Sequence, residues 1–245
     1  MQFKKHNKNV LLKAVIIAFI FSLAVVHQQA KAQQMIIDDA AVTTERSFQI
    51  ETWYGTEESW FQPGVAVTPW LEFAPGLIFD SSNRFEAANW LLEFKAVPGD
   101  LEAEGYAYGL VAAPVFNFDG EIEEFFSYVP VSKMLPDQAT VVHINMGIEG
   151  TKNEFIEATN GSPDSEWEWA FTTGIRGDFA ISDRVTILSE IFTANFETPS
   201  FQGGFRFSII PDLMEMDLTY GQGFRSGMDY PGFNVGIAFI PDSLW

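Results

Sequence analysis

The last third of the chain repeats one pattern, about eight residues alternating apolar and polar and then a turn. The clearest run is Met214-Glu215-Met216-Asp217-Leu218-Thr219-Tyr220-Gly221, with residues 167–176 before it and 233–239 after it. A period of two places Met214, Met216, Leu218 and Tyr220 on one face of a strand and Glu215, Asp217, Thr219 and Gly221 on the other. Carried back along the chain, the pattern predicts twelve strands, at 46–54, 59–67, 71–80, 89–97, 105–118, 122–132, 139–149, 166–180, 185–194, 200–210, 213–223 and 233–240. Ten is the alternative count. Residues 122–131 lack clean alternation, and residues 106–118 contain Pro114, whose missing donor suits only a bulge or strand end in a closed ladder.

The connections alternate strictly between two kinds. Thr68-Pro69-Trp70, Pro98-Gly99-Asp100, Pro136-Asp137, Ser182-Asp183-Arg184 and Pro211-Asp212 are short; Pro fixes φ and Asp caps the turn through its side chain. The others, at 55–58, 81–88, 119–121, 150–165, 195–199 and 225–232, are more variable. Short turns on one rim, longer loops on the other and an even strand number predict an all-β fold, a transmembrane antiparallel up-and-down β-barrel with both chain ends on the periplasmic side.

Which solvent meets the apolar face depends on export. Residues 1–32 read as a signal peptide, with a basic start (Lys4, Lys5, Lys8, Lys13), an apolar stretch at 14–26 and Ala30-Lys31-Ala32 as cleavage site. That stretch is shorter than the roughly 17–25 residues of a spanning helix, so cleavage is expected. Residues 33–45 form a mixed lead-in expected to be flexible in the periplasm, and residues 46–245 form the barrel. The expected location is the outer membrane of a Gram-negative cell. The expected partners are outer-membrane lipid, lipopolysaccharide and the barrel-assembly machinery.

Composition sharpens this picture. The signal peptide holds five of the 14 basic residues, leaving nine against 33 acidic ones, a formal −24 that argues against nucleic acid or an anionic surface as partner. Hydrophobic content of 47% with 24 Phe and 7 Trp argues against disorder. Trp60, Trp70, Trp90, Trp167 and Trp169 lie near strand ends, as interfacial girdles require. With no Cys there is no lipid-anchor motif, disulfide framework or thiolate metal site.

The polar phase lists the lumen: Glu51, Glu72, Asp80, Glu93, Lys95, His143, Asn145, Glu149, Glu168, Arg176, Asp178, Glu190, Arg206, Glu215 and Asp217. Inward placement spares these charges contact with lipid. Lys95, Arg176 and Arg206 among so many acids suggest either an ion-paired interior or an acidic path for cations or small solutes. Eight strands are just filled by side chains, 16 to 18 leave an open channel, and twelve lies between.

Residues 179–192 (Phe-Ala-Ile-Ser-Asp-Arg-Val-Thr-Ile-Leu-Ser-Glu-Ile-Phe), with Phe201-Gln202-Gly203-Gly204-Phe205-Arg206-Phe207-Ser208-Ile209-Ile210-Pro211-Asp212 and Asp217-Leu218-Thr219-Tyr220-Gly221, carry a family resemblance. They resemble the C-terminal half of proteobacterial outer-membrane barrels grouped as "meta-pathway of phenol degradation" proteins, and His143-Ile144-Asn145-Met146-Gly147 looks like the strand before them. The resemblance covers about the last 110 residues. It implies a barrel that passes small apolar or aromatic solutes.

No catalytic constellation is evident. His143 is the one histidine after residue 32, and to act it would need a Ser on the same or an adjacent strand; the positions two residues to either side are Val141 and Asn145, and no Ser is expected in same-face register. No catalytic residue, cofactor or metal is therefore expected, and one His with carboxylates would suit Ca²⁺ or Mg²⁺ rather than Zn²⁺. Asn160-Gly161-Ser162 reads as a loop tip within the 150–165 loop, whose Lys152, Glu154, Glu157 and Asp164 form a solvated charge run or a cation site at lipopolysaccharide. Trp245 resembles the terminal aromatic of outer-membrane barrels, but Pro241 ends the alternation and favours an interfacial anchor. The functional expectation is a narrow channel or transporter for small solutes. A closed structural or adhesive barrel is the alternative, and a lipid-modifying barrel enzyme the third reading.

Overall fold

A computed structural model describes residues 35–56, 58–81, 85–156, 163–225 and 231–241. The expected signal peptide at 1–32, the Asn160-Gly161-Ser162 tripeptide and Trp245 lie outside these residues. The strands are β1 (Ser47–Gly55), β2 (Glu58–Thr68), β3 (Leu71–Asp80), β4 (Glu86–Ala96), β5 (Tyr106–Tyr108), β6 (Leu110–Phe116), β7 (Ile122–Met134), β8 (Thr140–Ile156), β9 (Pro163–Ser182), β10 (Val185–Ala194), β11 (Ser200–Ile210), β12 (Met214–Gly223) and β13 (Gly232–Phe239). Both β5 and β6 pair with β7, so they are successive pieces of one stave. The break falls at Gly109, whose N–H reaches the Pro130 carbonyl and where a Cβ would run into the Ala96 carbonyl. Every stave pairs antiparallel with its chain neighbour and β1 pairs with β13, giving a closed twelve-stranded barrel without an edge.

Burial is inverted relative to a water-soluble protein. Glu72, Lys95, His143, Arg176, Glu190 and Gln202 are buried, while Phe94, Ile144, Ile175, Ile191, Phe205 and Leu218 are exposed. Each exposed residue is one position away from a buried or half-buried polar one, as a strand periodicity of two dictates. A surface of that kind is stable only against lipid. Thr219 illustrates the inward phase: it is 4% exposed and its Oγ1 accepts from Gln202 Nε2 at 2.7 Å.

Several local expectations need correction. Residues 122–131 belong to a strand, as the twelve-strand count expects, and the ten-strand alternative falls; their alternation is blurred because the inward face of β7 carries Phe126, Tyr128 and Pro130 as well as Ser132, with Pro130 and Ser132 fully buried. Trp60 is not in a girdle: it is 9% exposed, stacked on Trp53 at 5.2 Å, and packs with Ile78, Leu91, Ala113 and Val115 as an apolar cluster inside the barrel. Residues 150–165 are mostly not loop, since β8 and β9 run on as a hairpin of 17 and 20 residues. A transmembrane strand needs about 9–11. Lys152 of that hairpin binds Glu121 Oε2 at 2.8 Å. Pro98-Gly99-Asp100 leads into one helical turn, Leu101–Glu104, because Asp100 Oδ1 accepts the Glu102 and Ala103 N–H groups and Gly105 closes the turn at φ 72°.

Candidate functional site

The lead-in does not run free. Residues 35–43 lie inside the barrel, with Met35, Ile37, Ala40 and Thr43 buried. The chain turns from lumen to wall at Arg46, whose φ of 58° is left-handed, and its N–H then joins the wall at the Ala66 carbonyl. Gly174 leaves space for this segment: a Cβ there would meet Ile37 Cδ1. Ala40 packs against Val97 and Ala107, with Val42 beside them.

The segment is held through side chains. The Ile36 and Ile37 N–H groups donate to the two oxygens of Glu190, at 2.9 and 3.0 Å. Arg176 Nη1 donates to the Ile37 carbonyl at 2.6 Å. With its amide oriented to suit both partners, Asn145 accepts from the Asp38 N–H at 2.8 Å and donates to the Asp38 carbonyl at 3.0 Å. The Ala40 N–H reaches Ser132 Oγ at 2.7 Å, and the Thr43 N–H reaches Glu72 Oε2 at 2.6 Å. Lys95 Nζ lies 2.8 Å from Asp38 Oδ2 and 3.4 Å from Asp39 Oδ1. Tyr128 donates to Asp38 Oδ2 at 2.9 Å, and Arg176 Nη2 is 3.9 Å from Asp39 Oδ2.

Arg176 and Arg206 are also paired within the wall. Arg176 also forks onto Asp178 of its own strand, at 2.8 and 3.0 Å. Arg206 forks onto Asp217 across the β11–β12 pair, at 2.8 and 2.7 Å, with Glu215 at 3.4 Å. Fork-to-carboxylate geometry gives two charge-assisted bonds per pair. Beside Met35, a cavity of about 30 Å³ is lined by Glu51, Trp53, Arg206, Asp217 and Thr219. Glu93 is half-buried on the inward face of β4, between Leu91 and Lys95, whereas Glu149 is exposed. Glu168 does not join the group: it is exposed on the long hairpin, accepting from Asn153 Nδ2 at 3.0 Å. Asp80 lies at the end of β3, opposite Glu58.

His143 does have a serine partner, on the neighbouring strand rather than its own. Ser132 pairs with it across β7–β8, and Ser132 Oγ lies 2.8 Å from His143 Nδ1. The other ring nitrogen, Nε2, is 3.5 Å from Asp178 Oδ2. Ser132 Oγ thus meets both the Ala40 N–H and His143 Nδ1, which ties the ring to the inserted segment through one hydroxyl. The hydroxyl is covered by the inserted segment and Asp178 is gripped by Arg176. The trio therefore positions the segment rather than presenting a nucleophile.

The sequence reading missed Asp38 and Asp39 because it assigned them to a solvated linker. A signal was there: they interrupt an otherwise apolar run, Met35-Ile36-Ile37 before and Ala40-Ala41-Val42 after, which is unsuited to water.

No protein-family model and no curated protein matches the chain. Among solved structures, the NanC porin aligns with a TM-score of 0.52 at 12% identity, covering 78% of this chain and 98% of that one. The KdgM porin in complex with disordered oligogalacturonate aligns with a TM-score of 0.55 at 7% identity, covering 79% and 98%. The COG4313 outer membrane channel from Pseudomonas putida F1 aligns with a TM-score of 0.53 at 9% identity, covering 85% and 98%. At such identities the likeness is one of fold: a porin-like outer-membrane barrel.

Proposed function

We propose that the chain forms a narrow outer-membrane channel for small solutes, closed in the state described here by its own residues 35–44. One observation carries this reading. Inside a porin-like barrel with an apolar exterior, the occupant of the polar lumen is a tail held by side-chain contacts, so it can leave without breaking a strand ladder. The finer assignment to the phenol-degradation group, with apolar or aromatic solutes, has the motif resemblance in its favour and the lumen cluster of Trp53, Trp60, Ile78 and Leu91. Outer-membrane lipid, lipopolysaccharide and the assembly machinery are the partners this reading implies.

A closed structural barrel is the second reading, favoured by the filled lumen and by Lys95, Arg176 and Arg206 each having carboxylate partners. Planar-bilayer conductance separates the two. The expected result is rare, small openings for the purified full chain and larger, longer ones for a variant lacking residues 35–44. A folded deletion variant that stays silent would favour the structural barrel.

A further inference from the structure

We propose that the lumen wall is a peptide-binding site, built for an extended segment with two adjacent carboxylates, and that residues 35–43 occupy it as an intramolecular ligand. The argument lies in the kinds of partner the wall offers. Glu190 and Glu72 accept backbone N–H groups, two at Glu190 and one at Glu72. Arg176 donates to a backbone carbonyl. Asn145 meets one residue's N–H and C=O together, a pairing that an extended backbone completes. Lys95 and Tyr128 meanwhile take the side-chain carboxylate of Asp38.

This mixture excludes simpler occupants. A small dicarboxylate would satisfy Lys95 and Arg176 but set its charge against Glu190 and Glu72. A cation would satisfy those acids and oppose Lys95 and Arg176. A neutral apolar solute would leave Lys95, Glu190 and Glu72 without the polar contacts that the segment gives them. A peptide brings donors, acceptors and carboxylates in one extended backbone, so the acidic balance of the wall does not bar an acidic ligand.

The proposal rests on the channel reading, because a site on the lumen wall serves a passing solute only if the lumen is a path. The test starts from the full chain, so that the barrel folds with its segment in place. A specific protease site is inserted at the exposed Glu45–Arg46 turn, the folded protein is cut, and the barrel is passed through gel filtration in detergent. A labelled synthetic peptide of residues 35–44 is then added, alongside a version carrying Asp38→Asn and Asp39→Asn. We expect the cut segment to remain bound and to exchange for the labelled peptide. The double-Asn peptide should bind at least about tenfold more weakly, since charge-assisted contacts of this kind are worth roughly 1.5–3 kcal/mol. Release of the segment with no uptake of either peptide, or equal uptake of both, overturns the proposal. Current through the same cut barrels keeps the two ideas apart. Peptide uptake in barrels that never conduct sinks the channel and keeps the site, whereas conduction without uptake does the reverse.

Discussion

Replacing Lys95 with Met asks what keeps the segment inside. Lys95 is 9% exposed at its side chain and lies 2.8 Å from Asp38 Oδ2 and 3.4 Å from Asp39 Oδ1. Removing one partner of a buried ion pair costs about 3–5 kcal/mol when the remaining charge must stay buried. Here the remaining charges sit on a tail, which can carry them out to water. The penalty should therefore fall on insertion of the segment and leave the barrel, whose ladder is untouched, intact. Taking the lower figure, about 3 kcal/mol corresponds to a roughly 100-fold rise in the population with the segment released. Hydrogen exchange read by mass spectrometry over residues 35–45 reports that population, because the Ile36, Ile37, Ala40 and Thr43 N–H groups are bonded to the wall and exchange on release. Protection there should fall by about two orders of magnitude while β10 and β11 stay protected. If protection over residues 35–45 changed by less than about threefold in a folded Lys95→Met barrel, the ion pair would not be what retains the segment.

Leu218 faces outward on β12, between Phe205 and Val235, so Leu218→Arg should weaken folding into liposomes by about 2–4 kcal/mol. Glu149→Lys, at an exposed inward-phase position, should change it by less than about 0.5 kcal/mol; equal sensitivity in urea-dependent refolding would mean that lipid meets the other face. Thr219→Arg, which the alternation alone would accept, should fail, because Thr219 is buried against Gln202. Ser132→Ala removes the acceptor of the Ala40 N–H and should speed exchange at Ala40 by roughly 1–3 kcal/mol of lost protection; unchanged exchange there would contradict the positioning role. In the 135–139 turn, the Thr140 hydroxyl and the Ala139 N–H hold the Asp137 carboxyl below the usual carboxylate range. A depressed carboxylate pKa supports the turn above the unfolded value and is lost as pH falls through the folded one. Carbon NMR should thus show Asp137 titrating below an ordinary exposed Asp, and Thr140→Val should move it back up.

The barrel was legible because it rests on a local rule. Alternation and turn chemistry act over two to ten residues, so β3, β10 and β11 match the expected bounds and most others fall within a few residues. Legibility failed where the inward environment is not uniformly polar. Phe126 and Tyr128 blur β7, and Trp60 points into an apolar pocket that a lipid-or-water reading does not contain. The arm of β8 and β9 beyond the membrane was missed for another reason: Lys152 and Glu154 look like loop when only the span of a bilayer is considered. The inserted segment was the least legible part. Its partners Glu190 and Arg176 lie 139 to 154 residues away, and no periodicity within residues 33–45 can point to them. Ser132 escaped for the same reason, since its relation to His143 exists only across strands.

The separation between the tail and its partners also dictates an order of events. Residues 36 and 37 are made early but bind Glu190 of β10 and Arg176 of β9, so their seat does not exist until most of the wall has been laid down. Contacts between such distant parts of a chain form late, because the intervening loop must first be closed. On that order the interior can be filled only after β9 and β10 are in place. A barrel whose β9 and β10 are not yet laid down has no Glu190 or Arg176 to hold the tail, so its interior would stand open until they arrive.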